Sequence, residues 1–443
     1  MLYITNTKTG KKEQFVTKNE KKVNLYVCGI TPYDFAHIGH GRCYVMFDLL
    51  YRLLTFSGYK VSYCRNFTDI DDKILNRAEQ EFGDKSRYRE ISERFIDAYT
   101  EDMKRLNCYN PDKEPKVTEY IKEIISFVQG LVDNGAAYEV EGNVYFRVRS
   151  FENYGKLSRQ NIDDLRSGAR IEVNTHKEDP TDFALWKFDD SKAGFDSPWG
   201  TGRPGWHIEC SAMARSYFDD VVDIHGGGMD LIFPHHENEV AQSESLYPAP
   251  FVQYWMHNAF VRINKEKMSK SLGNFFTLRE IFEKFDPMVI RFYFLKHYYR
   301  APIDFAFDDI KAVETAYKRL VTAFKDVDYV KYDSQKLMKN RWIKDIVKFL
   351  QDDMNSSGAF GIIFETIRAE ISDQEKSELK SFIVDMFGLT LDPLAEKEVE
   401  ITPEIQQLID DRKQARKDKN WAKSDELRDK LVELGVKIQD SKL

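Results

Sequence analysis

The segment Leu25-Tyr-Val-Cys-Gly-Ile-Thr-Pro-Tyr-Asp-Phe-Ala-His-Ile-Gly-His-Gly-Arg42 decides the fold of this chain. It begins inside an apolar, β-prone run, 23–27, and turns at Gly29. An apolar helical pattern, 44–54, follows it. The order predicts a strand, a loop and a helix N-terminus, where α/β proteins bind ligands. Free N–H groups at that helix end attract anions, and Gly39 lets a phosphate approach the backbone.

Two histidines, His37 and His40, lie one helical turn apart in this segment. At a helix N-terminus both side chains can donate hydrogen bonds to phosphate oxygens. The alternative is an ordinary capped helix with surface histidines. Cys28, at the end of the predicted strand, adds a soft metal ligand.

Composition excludes several classes of protein. With 443 residues, 42% hydrophobic and 31% charged, the chain is long enough for several domains with buried cores. No apolar run reaches 18 residues and the N-terminus lacks a signal-peptide layout, so we expect no membrane span and a cytoplasmic location. The five cysteines are scattered, which favours reduced thiols or metal ligation over disulfides. A net charge of −8 restricts any nucleic-acid surface to a local basic patch.

Strands and helices alternate over 25–110, which indicates parallel βαβ units. A second strand, 61–67, runs into a helix that Thr68 or Asp69 can cap. A hairpin around Gly142, among proline-containing loops, indicates an insertion before the α/β pattern resumes.

The second half of the sheet is predicted from shorter patterns. We expect a helix at 205–213, a strand at 221–225, a glycine turn at 226–228, a helix at 234–246 that begins with Pro234 at its first position, and a strand at 251–261. Helices are then expected to about 390 with a break near 356–358, then at 404–417 and 421–434, with a terminal strand at 436–439.

A compact lysine loop follows the last predicted sheet strand: Lys267-Met-Ser-Lys-Ser271. Lys267 and Lys270 can neutralise a triphosphate as charge moves onto leaving pyrophosphate. The alternative is a solvated surface loop, the usual setting of a lysine run.

A metal site is the third candidate. His235 and Glu239 are four residues apart on a predicted helix and share a face, and Cys28 and Cys210 can join them in a set that suits zinc. Spacing alone does not pair ligands this distant in sequence, and the two cysteines can equally be buried apolar residues. The competing ligands are His236, His225, His207, Cys43 and Cys64.

The His-Ile-Gly-His and Lys-Met-Ser-Lys-Ser motifs on an interrupted parallel sheet together resemble class I aminoacyl-tRNA synthetases. Four segments look like the cysteinyl-tRNA synthetase family in particular: Cys28-Gly-Ile-Thr, Asn66-Phe-Thr-Asp-Ile-Asp-Asp-Lys73, Gly205-Trp-His-Ile-Glu-Cys210 and His225-Gly-Gly-Gly-Met-Asp-Leu-Ile-Phe-Pro-His-His-Glu-Asn-Glu239.

The resemblance implies activation of L-cysteine by ATP and transfer of the cysteinyl group to the 3′ end of cysteine tRNA by a monomer. It implies a zinc ion on Cys28, Cys210, His235 and Glu239 that selects the substrate thiol, and Mg²⁺ bound with ATP. The matching positions place Gly29, Thr68 and Trp206 at the amino acid and Gly39, His40 and Lys270 at ATP, while His37, His40, Lys267 and Lys270 stabilise phosphate charge.

The resemblance also implies a fold: a Rossmann-like parallel-sheet domain with an insertion, then an α-helical bundle and a small C-terminal domain. The expected segments are 1–110 and 201–262 for the two catalytic halves, 111–200 for the inserted connective domain, 263–315 for the lysine loop and stem-contact region, 316–392 for a tRNA-binding bundle and 400–443 for anticodon recognition.

The sequence leaves two rival functions open. A ligase that joins cysteine to an amino sugar would share the zinc and ATP motifs but lack the basic C-terminal hairpin. A zinc-stabilised nucleic-acid-binding protein would have no use for the lysine loop. The hairpin cations that can bind phosphate are Lys413, Arg416, Lys417, Lys419, Lys423 and Arg428, with Trp421 to stack on a base. The chain stops at 443 without the basic tail of many family members, which leaves the mode of anticodon readout open.

Overall fold

The structure is a computed structural model that describes residues 1–162, 176–218, 220–247, 250–263, 275–395 and 402–433, with backbone alone at Glu266–Lys267. The chain forms two compact units, Met1–Asp392 and Pro393–Leu443. Most of the lysine loop, 268–274, and the expected terminal strand, 436–439, lie outside the described residues.

The strands are β1 (Tyr3–Asn6), β2 (Lys11–Gln14), β3 (Lys22–Ile30), β4 (Lys60–Phe67), β5 (Ala137–Val140), β6 (Asn143–Phe146), β7 (Phe183–Phe188), β8 (Gly202–Pro204), β9 (Val222–Gly228), β10 (Val252–Asn258), β11 (Val261–Ile263), β12 (Glu266–Lys267) and β13 (Ile303–Phe305). The helices are α1 (Ile38–Phe56), α2 (Asp72–Phe82), α3 (Tyr88–Arg105), α4 (Ile121–Asp133), α5 (Trp206–Phe218), α6 (Glu237–Leu246), α7 (Leu278–Lys284), α8 (Pro287–Leu295), α9 (Phe307–Ala323), α10 (Ser334–Leu337), α11 (Arg341–Gln351), α12 (Ser356–Thr366), α13 (Asp373–Phe387), α14 (Pro403–Lys417) and α15 (Trp421–Glu433).

A parallel sheet in the order β10-β9-β3-β4 forms the centre of the first unit. Leu25, Tyr26 and Val27 of β3 are fully buried, as expected for a strand inside a sheet that is covered on both faces. The predicted α/β fold with a parallel sheet is confirmed, and β3, β9 and β10 end on the same side.

The predicted glycine turn at 226–228 is wrong, because these residues continue strand β9 and pair with Met256–Asn258 of β10. A Cβ atom at Gly226 would lie 2.1 Å from Cζ of Phe47 on α1. Glycine therefore allows α1 to pack directly against the sheet, and the glycine run reflects close packing rather than a change of chain direction.

Two helix starts also differ from the prediction. Helix α2 is capped by Asp71, because Thr68 donates instead to Glu209 and Asp69 accepts hydrogen bonds from Thr118. Phe233 is extended, as a residue before proline tends to be, so Ile232–His236 forms a separate π-type turn and α6 begins at Glu237 rather than at Pro234.

The segment expected as an insertion, 111–200, contains α4 and three strands of an antiparallel sheet in the order β5-β6-β7-β8, whose last strand, β8, follows just beyond it. The predicted hairpin around Gly142 is confirmed by the antiparallel pairing of β5 with β6. The expected strand 251–261 is divided, because β10 ends at Asn258 and β11 pairs with β12 and β13 in a second small sheet.

Helices dominate the rest of the first unit, with two differences from the prediction. Strand β13 precedes α9, and Ser356–Gly358 open helix α12 instead of breaking one. The break lies just before, where Asp353 and Met354 adopt left-handed backbone angles, with φ of 57° and 55°. In the second unit α14 and α15 match the predicted helical pair.

No helix in the described part of the chain is both long and apolar enough to cross a membrane. All five cysteines are free thiols, and four of them are buried.

A buried charge network joins α1 to α8 and to the end of α13. Asp48 of α1 accepts hydrogen bonds from Arg291 of α8 and, at 2.7 Å, from Arg52. The guanidinium of Arg291 also donates to the carbonyls of Leu106 and Phe387, at 2.7 and 2.6 Å. The two cations hold the pKa of Asp48 below its ordinary value despite burial.

We expect Asp48→Asn to lower the free energy of unfolding by about 3–5 kcal/mol, because it leaves two buried guanidinium groups without their counter-ion. Denaturant unfolding at pH 7 measures the change. Asp308→Asn is the matched control, since Asp308 pairs with Lys311 in solvent and should change stability by no more than about 0.5 kcal/mol. Equal effects of the two substitutions would contradict the interpretation.

Candidate active site and metal centre

A cavity of about 570 Å³ opens where β3 and β9 end and α1 begins. Six of the residues singled out from the sequence line it: Cys28, Gly29, His37, Gly39, His40 and Trp206. Asp230 and the segment Asn258–Val261 form part of the opposite wall. The fold therefore brings the histidine motif and the predicted metal ligand Cys28 to one cavity.

The two histidines close the N-terminus of α1 reciprocally. Nδ1 of His37 accepts from the backbone N–H of His40 at 3.2 Å, and Nδ1 of His40 accepts from that of His37 at 3.3 Å. Their rings stack with centroids 3.6 Å apart. Because each Nδ1 accepts, the neutral rings carry their protons on Nε2. The helix is therefore capped by its own histidines, as one interpretation of the sequence predicted, and both rings line the cavity.

Three chain segments bring the four predicted metal ligands together. The Sγ atoms of Cys28 and Cys210 are 3.8 Å apart, and Cys28 Sγ lies 3.8 Å from Oε1 of Glu239. His235 lies in the π-type turn rather than in the predicted helix, yet its Nε2 is 3.1 Å from the same Glu239 oxygen. All four residues are buried, and their donor atoms lie within 4.8 Å of one another.

The electrostatics of this cluster favour a cation. Burial lowers the pKa of His235, but Glu239 and Cys210 together outweigh it and raise that pKa to about 10. Burial raises the pKa of Glu239, yet His225 and His235 bring it down to about 2. The hydrogen bond from Cys28 lowers the pKa of Cys210 to about 6. A thiolate and a carboxylate thus share a dry site, and protons bound there compete with any metal.

A second set of possible ligands overlaps the first: Cys28, His225, His236 and Glu239. His225 Nε2 lies 2.8 Å from Oε2 of Glu239, and His236 Nε2 lies 3.2 Å from Cys28 Sγ. The predicted set contains two thiols and the alternative only one. Zinc's affinity for thiolates favours the predicted set. Among the other competitors His207 contacts His235 at 3.1 Å between Nδ1 atoms, while Cys43 and Cys64 belong to neither set.

The predicted amino-acid-binding residues surround this cluster. Trp206 is 39% exposed and stacks on His235 with ring centroids 4.3 Å apart. Thr68 is buried and donates to Glu209 at 2.6 Å. The N–H of Gly29 donates to the side chain of Asn66 at 3.0 Å, and a Cβ at Gly29 would collide with the Asn66 carbonyl.

Of the two predicted lysines, only the backbone of Lys267 is among the described residues. The backbone of Lys267 lies in β12, opposite Arg262. Its side chain and the whole of Lys270 lie outside the described residues.

Several residues near the site were not singled out from the sequence. His257 bonds His236 at 2.7 Å between ring nitrogens and continues to the hydroxyl of Thr7 at 2.8 Å. Asn66 and Glu209 hold Gly29 and Thr68. Asn66 and Glu209 belong to two of the segments that carry the family resemblance. The only sequence signal for their burial is that each is a polar residue among apolar neighbours.

Comparison with known proteins decides the family. Residues 14–315 match the model for the class I (C) tRNA synthetase catalytic domain, and 398–443 match the cysteinyl-tRNA ligase anticodon-binding domain. The cysteine–tRNA ligase of Maridesulfovibrio salexigens is 46% identical, covering 99% of this chain and 98% of that protein. That of Geobacillus thermodenitrificans is 45% identical, covering 99% and 97%. The chain belongs to the cysteine–tRNA ligase family. It is therefore a ligase, and the resemblance inferred from its motifs is confirmed.

Solved structures share the ligase fold at much lower identity. Mycobacterium tuberculosis methionyl-tRNA synthetase, in complex with methionyl-adenylate, has a TM-score of 0.59 at 13% identity, covering 82% of this ligase and 88% of that chain. The Agrobacterium radiobacter LeuRS–tRNA–LeuAMS complex has a TM-score of 0.57 at 11% identity, covering 85% and 84%. These likenesses show the fold of a class I synthetase.

We expect the ligase to bind one zinc ion per chain and Cys210→Ala to weaken binding more than tenfold, because it removes a thiolate from the cluster. Metal analysis and chelator competition measure this. Cys64→Ala is the matched control, since Cys64 is equally buried in the same apolar cluster but belongs to neither ligand set.

The same measurement separates the two ligand sets. His235→Ala should weaken zinc binding as strongly as Cys210→Ala, whereas His225→Ala should leave one zinc per chain. A larger loss in His225→Ala than in His235→Ala would place the metal in the alternative set.

Proposed function

We propose that this ligase activates L-cysteine with ATP to form cysteinyl adenylate and then transfers the cysteinyl group to the 3′ end of cysteine tRNA. One observation carries the proposal: Cys28, at the edge of the thiol cluster, and His40, at the N-terminus of α1, line the same cavity. The family name of its relatives, cysteine–tRNA ligase, agrees with a site that has one end for sulfur and one for phosphate.

In the first step the cysteine carboxylate attacks the α-phosphate of ATP, and pyrophosphate leaves. The enzyme needs to position the two reactants and to stabilise negative charge on the phosphates. The N-terminus of α1 carries partial positive charge at this end of the cavity, and we assign His37 and His40, which line it, to donate hydrogen bonds to the phosphates. We assign Lys267 and Lys270 to the same task, Gly39 to close approach of ATP, and Mg²⁺ to the bound nucleotide.

Cysteine and serine differ only in sulfur against oxygen, so a pocket of fixed shape separates them poorly. Cys28, Cys210, His235 and Glu239 fit a zinc ion by donor chemistry and by their separations. Bound there, zinc would prefer the substrate's thiolate to a hydroxyl and so supply the selectivity. We assign Gly29, Thr68 and Trp206 to the rest of the amino acid, since Trp206 and Thr68 flank this cluster.

For the transfer step we assign tRNA binding to the parts of the chain beyond the cavity. The expected divisions stand as our proposal: catalytic halves at 1–110 and 201–262, an insertion at 111–200, a stem-contact region at 263–315, a bundle at 316–392 and anticodon recognition at 400–443. Support comes from the anticodon-binding model at 398–443 and from Trp421, which is 56% exposed on α15. We further propose that the enzyme is a cytoplasmic monomer.

The anticodon-binding match also bears on the amino-sugar rival, since a ligase acting on a sugar has no use for such a domain. A binding protein without catalysis is incompatible with membership of a ligase family.

Cysteine-dependent exchange of pyrophosphate into ATP tests the first step. We expect exchange with cysteine to exceed exchange with serine by at least a thousandfold, followed by charging of cysteine tRNA and not of an amino sugar. Exchange with no preference for cysteine would contradict the proposal.

Two variants test the division of the cavity. His40→Ala should slow exchange at least a hundredfold and leave zinc content unchanged, because it removes a donor to phosphate. Cys28→Ser should lower both zinc content and the preference for cysteine over serine. Equal loss of zinc in both variants would show that the two ends of the cavity do not work separately.

A further inference from the structure

Arg42 is a buried cation that the family motifs leave without a task. It lies two residues after His40 on α1 and is 2% exposed. Its guanidinium donates to five backbone carbonyls, and no carboxylate in the described part of the chain forms an ion pair with it. The acceptors are the oxygens of Ala259 at 2.8 Å, Phe260 at 3.0 Å, Tyr298 at 3.3 Å, Tyr299 at 3.2 Å and, closest of all, Ala301. Burial lowers the pKa of Arg42 to about 10, so it remains a cation at neutral pH.

The five acceptors belong to two segments that meet beside the cavity. Ala259–Phe260 joins β10 to β11, and Tyr298–Ala301 is the turn before β13. The segments also bond each other, since Ala259 donates to Tyr299 at 2.9 Å and Ile303 donates to Phe260 at 3.1 Å. β11 then pairs with β12, where the lysine loop begins. Arg42 thus fastens the entry of that loop to helix α1.

The exit of the lysine loop is fastened to the same helix by backbone contacts. The N–H of Ile38 donates to Phe276 at 3.2 Å, and the N–H of Leu278 donates to Ala36 at 2.8 Å. His37 faces Thr277 across an antiparallel bridge. The residues at both ends of the loop are therefore attached to the N-terminal turns of α1.

Arg42 also determines which way the carbonyl oxygens of the 259–260 wall are directed. Ala259 and Phe260 line the cavity, but their carbonyl oxygens bond a guanidinium that does not line it. Lone pairs that would repel phosphate are thereby occupied on the far side of the wall. A net positive charge stands directly behind it, and in a low dielectric such a charge acts over several ångströms.

We propose that Arg42 is a positioning residue, which holds the 259–260 wall, and with it the strands β11 and β12 that lead into the lysine loop, at the phosphate end of the cavity. The inference rests on the proposed function, because it assumes that ATP phosphates bind beside His37 and His40. Arg42 touches no reactant; it acts through the two segments that it holds.

Arg42→Lys tests the inference, because lysine keeps the charge but cannot direct five donors at two segments. We expect the KM for ATP in cysteine-dependent exchange to rise at least fivefold and kcat per active site to fall at least tenfold. The KM for cysteine should stay within twofold and zinc content should not change. Loss of folded protein alone changes neither KM, so the ratio of the two KM values distinguishes positioning from stability.

Arg52→Lys is the matched control. Arg52 lies on the same helix, is 6% exposed and donates to two carbonyls, of Asn107 and Asp385, but at the end remote from the cavity. It should lower thermal stability without changing either KM. The same shift of the KM ratio in both variants, or in neither, would overturn the inference.

A second pair of variants covers the case in which Arg42→Lys does not fold. Tyr299→Phe removes the 2.8 Å hydrogen bond that ties the 298–301 turn to Asp353 and leaves the guanidinium intact. It should shift the KM ratio in the same direction by about twofold, and an unchanged ratio would contradict the inference. Tyr329→Phe, which loses a comparable bond to Asp385, should leave the ratio unchanged. If the unaltered enzyme shows no cysteine-dependent exchange, the proposed function fails rather than the role of Arg42.

Discussion

The burial of helix α1 against the parallel sheet is the constraint on which the rest of the structure depends. The helix carries Arg42, Asp48 and Arg52 into the interior, and each buried charge must be satisfied by partners that cannot rearrange freely. Arg42 is satisfied by carbonyls behind the cavity wall and Asp48 by Arg291 of α8. One rigid element therefore fixes both this wall of the cavity and the attachment of α8.

The thiol cluster depends on several elements rather than on one helix, because its members come from separate parts of the chain. Cys28 lies near the end of β3, Cys210 lies in α5, and Glu239 lies in the first turn of α6, so the cluster exists only once the sheet and both helices have packed. Neighbouring imidazoles of His225 and His235 keep Glu239 ionised in a dry interior. Any metal bound by these four residues is thus held only by the correctly folded chain.

Periodicity and motif spacing predicted the parts of the fold that local sequence determines. The strands of the parallel sheet, helix α1 and the hairpin around Gly142 follow from burial patterns and turn chemistry. The predicted turn at Gly226–Gly228 was wrong because close packing against Phe47 needs glycine within the strand. The predicted helix start at Pro234 was wrong because the extended Phe233 leaves a separate turn before α6. Resemblance supplied the four predicted ligands, because spacing alone could not pair Cys28 with Cys210. His225 and His236, which the sequence offered only among several competitors, complete the alternative set. Nothing local distinguishes Arg42 from a surface arginine.

The place of Gly226 has a consequence for how much variation this architecture can tolerate. Its missing side chain sets the spacing between the sheet and α1, since the ring of Phe47 occupies the room that a methyl group would need. A helix buried along most of its length cannot bend locally to make space, so it would have to tilt as a body. A single added carbon atom in the core would then misalign the two histidines, Arg42 and the residues at both ends of the lysine loop together.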